Sequence, residues 1–257
     1  MILLIDIGNT RIKWASLADG RLGRVHAAGH AAWRVRDFER VFGAAAGIDR
    51  VVVSSVASSK INGTLSLAAR RVVAPSPEFV ATPRRACGVT VAYLEPWRLG
   101  VDRFLAMIGA HERAARSTCI VGVGTAMTID LLDDKGRHRG GAIIPAPPLM
   151  VFSLLQGTSG IRERARGGAD GRVGVMFALS TRAAVEQGAR YAAAAMVERA
   201  VREARTLLGR APRVILTGGG AREVQPLIRV SSTLLPDLVL RGLAVWAAQG
   251  RESRSRT

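Results

Sequence analysis

The sequence predicts an α/β fold made of two related halves. Three observations carry this. A short, branched apolar strand ends in a glycine turn at Gly8 and is followed by a second strand. The same order of strand, turn and strand returns over residues 119–132, with Gly124 and Thr125 at the turn. A further strand at 214–216 runs into Gly218-Gly219-Gly220 and then into a helix.

Residues 2–7 read as the first strand, 12–17 as its hairpin partner and 21–28 as a third strand. A helix is expected over 34–42, a strand over 50–56 carrying Ser54 and Ser55 near its end, and a helix over 59–69. Short extended pieces follow at 72–75 and 78–81, then an amphipathic helix from near Gly100 to Ala115. In the second half, strands are expected at 119–123, 127–132 and 140–144. The stretch from Pro145 to Gly174 is rich in Gly, Arg and Pro and reads as a mobile loop. A long alanine-rich helix spans 180–208, with Ser180 as N-cap and Gly209 as terminator. The strand at 214–216, a helix at 221–228 and a final helix at 238–248 complete the chain. The domain division expected is 1–116, 117–250 and a basic disordered tail at 251–257.

Bulk properties narrow the function classes. A chain of 257 residues that is 48% hydrophobic buries a real core, which excludes whole-chain disorder. Cys87 and Cys119 fit neither a disulfide framework nor a metal-ligand spacing and read as buried thiols. The first apolar run is too short for an export signal, and no stretch reaches roughly 18 uncharged apolar residues. A cytoplasmic location without a membrane partner is expected. The net charge of +17 is almost all arginine, with lysine only at positions 13, 60 and 135. The arginines are scattered and aromatics make up 5%, so compositional bias explains the charge better than nucleic-acid binding.

Four motifs carry chemistry. In Asp6-Ile7-Gly8-Asn9-Thr10, with Lys13 beyond, Gly8 lets a phosphate approach the backbone, and Asn9 and Thr10 add donors. Asp6 can hold magnesium directly or through water, and Lys13 offers charge to a β- or γ-phosphate. Gly122-Val123-Gly124-Thr125-Ala126-Met127-Thr128 repeats that logic with hydroxyls, and two such turns can grip one nucleotide. Leu216-Thr217-Gly218-Gly219-Gly220-Ala221 offers bare backbone to an adenosine. In Gly100-Val101-Asp102-Arg103, Asp102 can accept a hydroxyl proton and Arg103 can fork a carboxylate. A P-loop and a dinucleotide fingerprint are both absent. The three glycine loops in this order are the signature of the actin-like ATPase superfamily, whose members have two ribonuclease H-like domains with an ATP cleft between them.

These residues also resemble a family. The order DIGNT, GVDR, GTAMT and LTGGGA is similar to that of type III pantothenate kinases. So are Cys87-Gly88-Val89 followed by Tyr93, the run from Gly140 to Pro145, and Pro236-Asp237-Leu238-Val239. The likeness spans nearly the whole chain. It implies ATP-dependent phosphorylation of pantothenate, the entry step of coenzyme A synthesis, by a homodimer using magnesium and a monovalent cation, potassium or ammonium. Asp6, Ile7, Gly8, Asn9, Thr10, Arg11, Ile12 and Lys13 would hold ATP, with Gly124, Thr125, Thr128, Gly218 and Gly219. Asp102 would be the base. Tyr93, Gly100, Val101, Asp102, Arg103 and Thr181 would meet pantothenate.

The chain also departs from the family pattern. Gly122 stands where many members carry the aspartate that binds the monovalent cation. Ala146 replaces a usual glycine, and Gly157 stands where close relatives have histidine. Two alternatives stay open beside the pantothenate reading: a weakly active relative acting as a transcription accessory factor, and a kinase for another small alcohol.

Overall fold

The computed structural model describes residues 1–44, 47–72, 74–167 and 175–254. Two compact units emerge. The first holds Met1–Ala115, Lys135–His138 and the chain from Asp237 onward; the second holds Arg116–Asp134 and Arg139–Pro236.

The first unit opens with β1 (Ile2–Ile7), β2 (Arg11–Ala18), β3 (Arg21–Leu22) and β4 (His26–Gly29). It continues through α1 (Val35–Gly43), β5 (Arg50–Ser55), α2 (Ser59–Arg71), β6 (Pro77–Phe79), β7 (Arg85–Ala86), β8 (Val89–Thr90) and α3 (Val101–Arg113). Its main sheet has the order β3-β2-β1-β5-β6, with β4 also on β2. β1 runs antiparallel to β2 and parallel to β5, and β5 runs parallel to β6. Burial on both faces explains why β1 and β5 read as continuous apolar runs. The core packs Leu3, Ile5, Ile7 and Ile12 against Phe38, Val51, Val53 and Leu65.

The second unit repeats the plan. β9 (Thr118–Val123), β10 (Ala126–Leu132) and β11 (His138–Pro145) lead to α4 (Pro147–Gly157), α5 (Ser159–Arg164) and α6 (Thr181–Leu208). β12 (Arg213–Thr217), α7 (Ala221–Val224) and β13 (Thr233–Leu234) follow. The sheet order is β11-β10-β9-β12-β13, with β9 antiparallel to β10 and parallel to β12. Each unit is therefore a hairpin flanked by parallel strands reached through helical crossovers.

The C-terminal helix, Leu238–Arg254, belongs to the first unit, although chain order placed it in the second half. It lies backbone to backbone on α3. A Cβ on Gly242 would sit 1.8 Å from the Leu105 carbonyl oxygen, and one on Gly109 would sit 2.6 Å from that of Leu238. Only glycines allow that approach. Arg50 adds a second tie: its Nη1 donates to the Ala247 carbonyl at 3.0 Å, while Nε and Nη2 fork onto Glu78 at 3.0 Å each.

Several expected elements differ. The strand at 21–28 is two pieces, because β3 pairs with β2 in the register Leu17↔Leu22 and β4 in the register Trp14↔His26, one residue out of step, which leaves an extra residue between them. The extended piece at 72–75 is absent at Val72, which closes α2, and the next extended piece is Pro77–Phe79. The mobile loop expected from Pro145 to Gly174 contains two helices, α4 and α5. Pro147 and Pro148 occupy the first turn of α4, where proline is tolerated. Residues 168–174 lie outside the described ones. α7 stops at Val224 and gives way to a 3₁₀ turn at Gln225–Leu227, since Pro226 cannot continue the ladder. Residues 251–254 of the expected tail continue the last helix; 255–257 lie outside the described residues. The Ser180 N-cap holds: its side chain accepts from the Ala183 amide at 3.3 Å, and Gly209 ends α6 at φ 70°.

Cys119 is buried, but Cys87 is only half-buried. Burial, with Glu112 beside Cys87 and Asp130 beside Cys119, pushes the thiols up to about 11 and about 12, so neither is a nucleophile at neutral pH.

Candidate active site

The sheet register builds the first part of the site. Asp6 is the penultimate residue of β1, with Lys13 directly across on β2 and Ser54 directly across on β5. Directly paired residues share a face, so an ammonium, a carboxylate and a hydroxyl form one row. The Ser54 hydroxyl donates to Asp6 Oδ1 at 3.0 Å. The Asp6 carboxyl is raised from 3.8 to about 6: burial is the main cause and the Asp102 charge adds to it, while Ser54 and Lys13 pull it back. Burial lowers Lys13 from its ordinary range, against the pull of Asp6 and Asp237. Burial is therefore the leading cause of both shifts, and each disfavours the charged form of its group.

Above the row sits the turn. The Gly8 amide donates to the Arg11 carbonyl at 2.9 Å, and the Val56 amide donates to the Ile7 carbonyl at 3.0 Å. Asn9, Thr10 and Arg11 are exposed at its tip. Ile7 and Ile12 turn their side chains into the core at 0% exposure, leaving only backbone for a ligand. His30, buried, pins the turn from behind: its Nε2 donates to the Gly8 carbonyl at 2.7 Å.

Helix α3 brings the second part. Asp102 Oδ1 accepts from the Arg103 amide at 2.8 Å, in the first turn, where a carboxylate is favoured. Val101 is buried, so only its backbone is available. Arg103 is 6% exposed, and its Nη1 donates to the Tyr93 hydroxyl at 3.1 Å. Its guanidinium lies 5.8 Å from the Tyr93 ring centre, and His138 stacks on that ring at 5.9 Å. The loop bearing Tyr93 is fastened by Arg84, which donates to the carbonyls of Val91, Tyr93 and Leu94 at 3.3, 2.6 and 2.5 Å.

The second unit holds its own turn. The Gly124 amide donates to the Ala126 carbonyl at 2.9 Å, with Thr125 exposed at the tip. The row beneath is Thr128, Gly122 and Thr217, partnered in the same register sense as the row of the first unit. The glycine run touches this turn. A Cβ on Gly218 (φ 92°) would fall 2.4 Å from the Val123 carbonyl oxygen, and one on Gly220 would fall 2.8 Å from Val123 Cγ1. Packing therefore explains Gly218 and Gly220, whereas Gly219 faces open space. Thr181 stands in the second unit at the first position of α6, beside the Ser180 cap.

The first unit thus brings together Asp6, Lys13, Tyr93, Asp102 and Arg103; the second gathers Gly124, Thr125, Thr128, Gly218 and Gly219. Sequence reading missed His30, Arg84 and His138. It noted Ser54 only as a polar residue near the end of an apolar strand, which was the available signal for its role. Asp237, whose charge bears on Lys13, was legible only as part of a family motif.

The fold is that of the actin-like ATPase class. A solved activator of 2-hydroxyisocaproyl-CoA dehydratase from Clostridium difficile, with ADPNP bound, shares the fold: TM-score 0.61, 14% identity, 100% of this chain and 97% of that one. The sequence profile of type III pantothenate kinase matches residues 2–203. A type III pantothenate kinase of Nitrosococcus oceani is 34% identical, covering 100% of this chain and 97% of its own. One from Stenotrophomonas maltophilia strain K279a is 38% identical, covering 95% and 96%. The chain belongs to the type III pantothenate kinase family.

Proposed function

We propose that this chain transfers the γ-phosphoryl group of ATP to the primary hydroxyl of pantothenate, giving 4′-phosphopantothenate. The observation that carries the reading is the juxtaposition within the first unit of the row of Asp6 with Lys13 and an acid-arginine pair, Asp102 with Arg103. Successive helix residues point roughly 100° apart, so Asp102 can take the hydroxyl proton while Arg103 and Tyr93 bind another part of the acceptor. The Arg103 fork, already oriented by Tyr93, suits the pantothenate carboxylate. Thr181 and the backbone of Gly100 and Val101 complete the acceptor contacts. The turns at Gly8–Thr10 and Gly124–Thr128 hold phosphates, and Gly219 lies under adenosine.

Magnesium fits the residues present. Among the described residues no cluster of three or more metal-binding side chains exists, and Asp6 offers one carboxylate with a raised proton affinity. Magnesium takes one or two carboxylates and fills its shell with water and phosphate oxygens. When bound, it would neutralise charge on the transferring group. A potassium site of the family type does not fit: residue 122 has no carboxylate, and a Cβ there would meet Thr128 Oγ1 at 2.8 Å. The chain is read as independent of monovalent cations.

The family-type homodimer is supported by apolar side chains left uncovered on the second unit, including Ile143, Phe152, Phe177 and Leu179, the last two 80% and 72% exposed. Light scattering on a sizing column measures that state; a monomer mass at micromolar concentration would remove this part of the reading.

The activity test is product formation from ATP, magnesium and pantothenate, followed by mass spectrometry. Wild-type protein yields phosphopantothenate, and Asp102→Asn loses about 10²–10⁴-fold in kcat. Equal rates in the two proteins would overturn Asp102 as base; no product from either would overturn the substrate.

A further inference from the structure

The first unit carries an open cavity of about 460 Å³ that none of the turns above uses. Its walls include Trp14 of β2, His26 of β4, Arg24, Trp33, and Asp37 and Arg40 of α1. Trp14 follows Lys13 on β2, so the pleat turns the two side chains to opposite faces. The cavity therefore opens on the face of the strand away from the Lys13–Asp6–Ser54 row.

The wall is built for a flat ring. Trp14 and His26 are cross-strand partners and stack with centres 5.5 Å apart and planes 15° from parallel. Trp33 stands edge-on to Trp14 at 5.9 Å and is itself braced by Phe38 at 4.9 Å. The chain has four tryptophans and spends two of them on this wall. Fixed aromatic side chains bind a ring with little entropy loss, and the volume lies in the range of roughly 300–1,000 Å³ usual for small-molecule sites.

Charge decides what the ring carries. Asp37 is already engaged: it accepts from the Arg34 amide at 2.8 Å and pairs with Arg40 at 3.4 Å. Arg24 is exposed and makes no hydrogen bond or ion pair among the described residues. Two guanidiniums against one carboxylate leave one net positive charge at the wall. A cationic ring would meet that repulsion, whereas an anionic one gains a partner in Arg24.

We infer that this cavity is a second binding site, selective for a flat aromatic or heteroaromatic acid whose ring lies against the Trp14–His26 wall and whose anionic group reaches Arg24. The inference does not rest on the pantothenate reading. It is tested on the full chain with three probes that share one ring: indole-3-acetate, neutral 3-methylindole and cationic tryptamine. Binding is measured by calorimetry at low salt, with and without saturating ADP. Indole-3-acetate binds about tenfold more tightly than tryptamine, an energy gap typical of one charge reversal near a partly exposed partner. Arg24→Glu removes that preference, and His26→Ala weakens all three probes. Both side chains are exposed, so the variants keep the fold, which a thermal melt checks. ADP leaves the binding unchanged. No binding at millimolar probe, a preference for tryptamine, an unaltered preference in Arg24→Glu, or competition by ADP would each overturn the assignment.

Discussion

The two glycine turns share one scaffold and differ in charge. In the first unit the row beneath the turn is Lys13, Asp6 and Ser54; in the second it is Thr128, Gly122 and Thr217. Gly122 stands two residues before Gly124 just as Asp6 stands two before Gly8. Both turns are closed by an amide of the glycine donating across the hairpin at 2.9 Å. The repeat thus keeps the strand pairing, shortens the turn from two residues, Asn9 and Thr10, to Thr125 alone, and replaces opposite charges by glycine and hydroxyls. The proposed function accordingly gives the first turn the cation and the migrating charge, and the second the neutral donors. It also follows that Gly122 is more than a missing cation ligand: it sits tight against Thr128.

The largest expected effect breaks the charged row. Asp6→Asn or Lys13→Met lowers kcat/KM for ATP by about 10²–10³, whereas Thr128→Val in the neutral row costs about tenfold or less. Steady-state kinetics check this, and equal losses in the two rows would erase the asymmetry.

The glycine run gives the next contrast. Gly218→Ala destabilises the fold by about 2 kcal/mol or more, because a positive-φ residue meets backbone. Gly219→Val leaves the melting temperature unchanged and raises the KM for ATP about tenfold, as expected when a side chain fills a ligand surface. A melt and a kinetic titration separate the two.

A smaller effect is the pH dependence of stability. The folded-state proton affinity of Asp6 lies at about 6 against an ordinary 3.8. The native state therefore keeps a proton that the unfolded chain has lost between those values. This contribution is complete below about pH 4 and is lost as pH rises through about 6. Asp6→Asn does not pay that cost, so its advantage in unliganded stability grows by up to about 2 kcal/mol from pH 4 to 7. Thr128→Val shows no such trend. Thermal melts across that range decide it, and parallel curves for Asp6→Asn and wild type would refute the buried-carboxylate picture. The smallest effect is an expected constancy: replacing potassium chloride by choline chloride changes the rate by less than about twofold, because residue 122 offers no carboxylate to a bound ion.

Much of this was written locally. The turns were legible because glycine, hydroxyl and acid punctuate short apolar strands, and β1, β5, α3 and α6 follow from periodicity with caps. Helix α4 was hidden because Pro147 and Pro148 read as breakers, although they occupy a first turn, and because its apolar residues show no clear stripe. His30, Arg84 and His138 escaped notice for another reason: each acts on residues beyond its own element, through a carbonyl or a ring that no local pattern announces.

The glycine-to-glycine seam between α3 and the last helix has a consequence for how the molecule is made. The sheet of the first unit is synthesised before the second unit, yet the first unit closes only when the segment from Asp237 arrives. Its sheet can form early, but the α3 surface around Leu105 and Gly109 waits uncovered while the whole second unit is synthesised. The same late segment delivers the Asp237 charge that supports Lys13. A chain truncated before residue 237 would carry the Gly8 turn without the Asp237 charge beside Lys13, so the setting of that turn depends on a segment that follows the entire second unit.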